Sequence, residues 1–181
     1  MRRNNEDKAL EIFNQTLSYL EFHLGKDHPL YSTVYFILGS YYVEKGNYTE
    51  ALNFYKLSLN NCCNILGTSH PYTGEVYQDL GNLTLKMQLK DEALGYFEKA
   101  YEVFRAHKGE DSFDCATISL QMASLLIVAG RVKDAKEHTL RALKFFEKDE
   151  EKYINTILEC SILMCQIAEI VKKDILVIYS F

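Results

Sequence analysis

Residues 38–58 read LGSYYVEKGNYTEALNFYKLS, and the stretch returns at 80–100 as LGNLTLKMQLKDEALGYFEKA and, more loosely, at 122–142 as MASLLIVAGRVKDAKEHTLRA. The alanines Ala9, Ala51, Ala93 and Ala135 follow one another at successive differences of 42, as do the starts Leu38-Gly39, Leu80-Gly81 and Met122-Ala123. A third landmark keeps the step: His23-Leu24-Gly25-Lys26-Asp27-His28-Pro29 recurs as Ile65-Leu66-Gly67-Thr68-Ser69-His70-Pro71, then weakens to His107-Lys108-Gly109-Glu110-Asp111-Ser112-Phe113. Three landmarks sharing one period mark a repeat array, in which each unit buries its apolar face on its neighbours.

Inside one period the apolar residues have helical spacing. Val34, Leu38, Tyr41 and Tyr42 form one stripe; Tyr48, Ala51, Leu52, Tyr55 and Leu59 form another beyond the Gly46-Asn47 turn. Each repeat therefore reads as a helical hairpin. Pro29 and Pro71 suit the first turn of a leading helix, where the missing N–H costs nothing, and Ser112 is a capping residue for the third copy. Gly39, Gly81 and Ala123 on the first helices, with Ala51, Ala93 and Ala135 on the second, let the two approach closely. Ala93→Leu is expected to overpack that crossing at a cost of about 1–3 kcal/mol.

The expected organisation is a half repeat at 5–26, repeats at about 29–67, 71–108 and 113–148, and a half repeat at 151–171. Residues 1–173 thus form one helical repeat domain, and 174–181 an apolar C-terminal tail outside the pattern, either folded back as a cap or a β-prone sticky end. Half repeats leave apolar faces open, so a fragment, a short isoform or an assembly through the ends is expected.

Composition narrows the function. With 181 residues, 48% of them hydrophobic, and only 2 prolines, the chain has a core and little turn-rich β architecture. A net charge of -5 without a Lys/Arg stripe removes the footprint that phosphate backbones require, so nucleic acid is not an expected partner. The N-terminus turns acidic after Arg2 and Arg3, and no run approaches the length of a continuous apolar span, so neither a leader nor membrane insertion is expected. Five cysteines (Cys62, Cys63, Cys115, Cys160, Cys165), without a CxxC pair, read as reduced core thiols of a cytoplasmic protein. No nucleophile with its base, phosphate loop or paired carboxylates stand out: Gly25-Lys26-Asp27 lacks the glycines, and Glu110-Asp111 and Asp149-Glu150-Glu151 read as solvated charge runs. His28 and His70 recur without partner ligands, so they read as loop-packing residues. No catalytic residue, metal site or cofactor is expected.

The pattern Leu-Gly, aromatic, turn glycine, Ala, aromatic, small is similar to the tetratricopeptide repeat family. The first full repeat supplies Leu38, Gly39, Tyr42, Gly46, Tyr48, Ala51, Tyr55 and Ser58. The second supplies Leu80, Gly81, Ala93, Phe97 and Ala100, with Gln88 where the turn glycine usually lies; the third has Met122, Ala123, Gly130, Ala135 and Ala142, with Thr139 in the aromatic slot. The long period with Leu-Gly-x-x-His-Pro between copies resembles the repeats of kinesin light chains. The resemblance implies an all-α, right-handed superhelical solenoid of antiparallel helix pairs with about eight helices. It also implies a non-catalytic adaptor binding a peptide or partner protein in a groove lined by the leading helices.

Carried over by register, the groove positions are Thr33, Phe36, Ser40 and Glu44; Glu75, Gln78, Asn82 and Lys86; and Thr117, Leu120, Ser124 and Val128. Asn82 stands out, since its amide offers donor and acceptor to an extended peptide. Phe36 and Gln78 stand where a carboxylate-clamp lysine would be, which disfavours a chaperone-tail receptor. The alternatives are the helical lobe of a multidomain enzyme, as in SET- and MYND-type methyltransferases, and a structural subunit or oligomer joined through its half-repeat ends.

Overall fold

The structure, a computed structural model, describes residues 2–25 and 28–178. The helices are α1 (Arg2–Leu24), α2 (Leu30–Glu44), α3 (Tyr48–Ile65), α4 (Pro71–Lys86), α5 (Lys90–Lys108), α6 (Phe113–Val128), α7 (Val132–Phe146) and α8 (Glu150–Ile178). No strand occurs among the described residues. A 3-10 turn, Glu147–Asp149, joins α7 to α8 without a loop, and counting that run as one helix gives seven where about eight were expected. The chain divides into two compact units, 1–93 and 94–181, with the boundary inside α5.

In the first unit the turn chemistry is local. Gly46 takes φ +73° after α2, and the Asn47 side chain then accepts the Glu50 N–H at 3.3 Å to start α3. His28 and His70 do the loop work expected of them: each Nδ1 accepts a backbone N–H two residues on, Leu30 at 3.3 Å and Tyr72 at 3.2 Å. Pro71 is the first residue of α4, while Pro29 stands one position before α2. Gln88 holds φ +63° at the turn position that Gly46 and Gly130 fill in the other copies. A side chain is strained there by about 1–2 kcal/mol.

The small residues explain the packing of the pair. A Cβ built on Gly39 would collide with Cδ1 and Cε1 of Tyr55, so the α3 ring lies directly on the α2 backbone. Ala51 is fully buried in the same pair. At the other end of the crossing Ser58 donates to the Ser32 carbonyl at 2.8 Å, and the Asn61 side chain accepts the Ser32 N–H at 3.1 Å. Leu20, Tyr31, Val34 and Leu38 form a core cluster that Phe13 and Leu17 extend into α1.

In the second unit the Ser112 hydroxyl caps α6 as expected, accepting the Cys115 N–H at 3.4 Å. Ala116, Ala142, Phe146 and Cys160 form its core cluster, so α8 packs on α7 through Cys160. The backbone of Tyr153 leaves helical geometry (φ -113°, ψ 19°), and its ring joins Phe113, Phe145 and Phe146 at this corner. The helix continues to Ile178, so residues 174–178 of the tail expected outside the pattern, as a cap or a β-prone end, are helical; residues 179–181 lie outside the described residues, as do Lys26 and Asp27 of the first loop. Within Val132–Lys173 one stretch is long and apolar enough to cross a bilayer by length and composition alone. Its outer side leaves Ile154, Leu158 and Ile162 at least half exposed.

Candidate functional site

The first unit brings part of the expected groove together. Phe36 is half-buried, its ring centroid 5.4 Å from that of Tyr55 and 6.0 Å from that of Tyr72, which links α2 to α3 and α4. Ser40 donates to the Phe36 carbonyl at 3.1 Å, and its hydroxyl lies 3.0 Å from that of Tyr55. Glu44 and Glu75 are exposed, Gln78 and Asn82 half-buried, Lys86 exposed, and Thr33 exposed.

Beside them α2, α3 and α4 enclose a cleft of about 420 Å³ lined by Val43, Tyr55, Asp79, Asn82, Leu83, Leu85, Lys86 and Gln88. Only Asn82 and Lys86 among these are expected groove residues. Asp79 is the group that register reasoning missed. Burial pushes its carboxyl above the usual carboxylate value; the Asn82 side-chain hydrogen bond and the Lys86 charge oppose this, and the Glu75 charge adds to it. Burial likewise pushes the Tyr55 phenol up, against its bond to Ser40. The wall thus sets apolar Val43 and Leu85 beside the polar groups Asp79, Asn82, Lys86 and Gln88. The available signal was a carboxylate three residues before Asn82 in a helix whose Leu80 and Leu83 are core residues.

In the second unit the expected positions are less free. Thr117 and Ser124 donate to carbonyls one turn back, Phe113 at 2.9 Å and Leu120 at 3.3 Å. Leu120 packs against the core cluster, while Val128 is exposed. A second cleft of about 280 Å³ is lined by Glu110, Asp111, Arg141 and Lys144. Here every acid has its cation. Arg141 meets Glu110 at 3.0 Å and Glu137 at 2.5 Å and donates to the Tyr101 hydroxyl at 3.3 Å, and that hydroxyl donates to Glu110 at 3.2 Å. Lys148 pairs with Asp111, and this hydrogen bond holds the Asp111 carboxyl below its usual value. The run Glu110-Asp111 is therefore exposed but ion-paired, not simply solvated. His138 lies 3.4 Å from the Ser119 hydroxyl and edge-on to Tyr101; burial and Arg141 push its imidazole down, so it stays neutral inside the unit. Among the described residues no three His, Cys, Asp or Glu side chains gather as a metal ligand set.

Residues 1–64 match the family model for the tetratricopeptide repeat. No curated protein matches the chain. Among solved structures, BtubC (BKLC) from P. vanneervenii superposes with a TM-score of 0.73 at 19% identity, over 95% of this chain and 75% of that one. A Podosopora anserina protein of nearly identical TPR-like repeats, a kinesin light chain by name, superposes with a TM-score of 0.66 at 16% identity, over 96% of this chain and 90% of that one. A substituted form of that same protein gives 0.67. The sequence match to the tetratricopeptide repeat thus covers residues 1–64, and over the rest of the chain the likeness to such repeats is one of fold. At these identities the kinship with kinesin-light-chain repeats is one of fold.

Proposed function

We propose that the chain is a non-catalytic adaptor that captures a peptide or partner protein on the α2 and α4 face of its first unit. The observation that carries this is the cleft between Val43, Tyr55 and Asn82, with half-buried Phe36 packed on the Tyr55 ring beside it. Apolar walls with a few convergent polar groups are the ordinary make-up of a recognition site, and tetratricopeptide repeats serve protein interaction in general. A cytoplasmic location belongs to the same reading. It is supported by five free thiols, of which Cys62, Cys115 and Cys160 are buried and pushed up by burial, Cys160 to about 11.

The test is affinity capture from native extract with wild type and with the double variant Phe36→Ala and Asn82→Ala, both checked by circular dichroism. A partner retained equally by a folded double variant would move the site elsewhere. A second reading, a structural subunit of an assembly, is favoured by the outer stripe Ile154, Leu158 and Ile162 of α8. Light scattering on a variant with these three changed to Gln tests it: a wild-type oligomer should fall to monomer mass, and a monomeric wild type or a variant that keeps the oligomer mass sinks that reading.

A further inference from the structure

The geometry points to a Lys or Arg side chain of the bound segment as the group that fills the α2–α4 cleft, its charge on Asp79 and its stem beside Val43 and Leu85. This rests on the peptide-binding reading above and names the ligand chemistry of that same site.

Asp79 carries the argument. Its carboxylate is partly withdrawn from water at the wall of an open cleft. Its hydrogen bond comes from the neutral Asn82 amide, and among the described residues no Lys or Arg lies within ion-pair distance of it. Lys86 acts on it only through space, from an exposed position. A desolvated carboxylate without a cation is a standing cost to the fold, and an arriving cation removes that cost. Around the cleft exposed Glu44 and Glu75 are balanced by exposed Lys45 and Lys86, so the charge that selects a cation is Asp79 itself. The partly exposed apolar lining, Val43 and Leu85, suits the methylene stem of a long basic residue. The cleft is also near the lower end of ordinary ligand sites, about 300–1,000 Å³, so it takes a side chain rather than a folded element. Phe36 beyond it offers the next residue of the segment an aromatic contact.

The experiment is selection of a phage-displayed random dodecapeptide library on the intact chain, followed by fluorescence anisotropy with the winning peptides. Enrichment of Lys or Arg at one position is expected, with affinity falling about tenfold when that residue becomes neutral citrulline or Gln. Asp79→Asn is expected to produce the same loss, with little further loss when both changes are combined, while thermal stability stays equal or rises. Peptides enriched in acidic or neutral residues, or an affinity indifferent to Asp79→Asn, overturn the inference. If Phe36→Ala weakens such charge-indifferent peptides, the peptide-binding reading stands and only this inference falls. If no peptide is selected, or none depends on Phe36 or Asp79, both fall. Free arginine bound at Asp79 with no peptide enriched also overturns it, because a free cation would then be the ligand.

Discussion

Two clefts, one in each unit, differ in how their carboxylates are balanced. In the second unit Glu110, Glu137 and Asp111 are held by Arg141 and Lys148 of the same unit. In the first unit Asp79 lies at a cleft wall with an amide for company. The first arrangement is complete in the free chain and joins the loop after α5 to α7 and the turn beyond it. The second is incomplete, and an incomplete charge balance at an accessible wall is what a binding site has before its ligand arrives. The contrast extends to the backbone: Gly130 sits without strain where Gln88, which lines the first cleft, takes the same left-handed turn with a full side chain.

Substitutions can break or sharpen this contrast. The largest effect is expected at Gly39, where a side chain has no room: Gly39→Val should cost about 3 kcal/mol in urea unfolding, the top of the overpacking range. That change would distort the Tyr55 wall of the first cleft and leave the second unit's ion pairs in place. Next, Arg141→Ala should cost about 1 kcal/mol, with its salt dependence lost, because partly exposed pairs are worth little singly and this one residue serves several. A comparable loss at Asp79→Asn would erase the distinction between a finished and an unfinished site. Exchanging the turn residues should give opposite signs, Gln88→Gly gaining and Gly130→Gln losing about 1 kcal/mol by thermal melting.

The smallest effect is in the pH dependence of stability. Because the folded chain raises the Asp79 pKa above its unfolded value, its favourable contribution is present below the unfolded pKa and lost as pH rises through the folded one. Asp79→Asn should remove that loss, so wild type and variant diverge on the alkaline side of the window. Parallel stability curves across mildly acid to neutral pH would mean Asp79 is solvated after all.

How much of this was legible in advance follows from how far apart the interacting residues lie. The hairpins, the turns at Gly46 and Gly130, the Ser112 cap and the roles of His28 and His70 involve groups a few residues apart, so the sequence displays both partners together. Register placed Phe36 and Asn82 on a shared face but passed over Asp79. Its importance comes from burial by α2 and α3, which no pattern within α4 records. The charge run Glu110-Asp111 looked solvated because its cations, Arg141 and Lys148, come from the far side of α6 and its turn. Likewise the helix runs on to Ile178 through an apolar tail that breaks the repeat pattern.

By itself, then, the sequence determined the repeat, its hairpin geometry and the small residues at each crossing, because period, turn and cap are short-range constraints written in neighbouring residues. The tertiary structure alone decided which carboxylates are ion-paired within the chain and which lies at a cleft wall beside an amide. Desolvation and ion pairing depend on what packing brings within a few ångströms, whatever the distance along the chain.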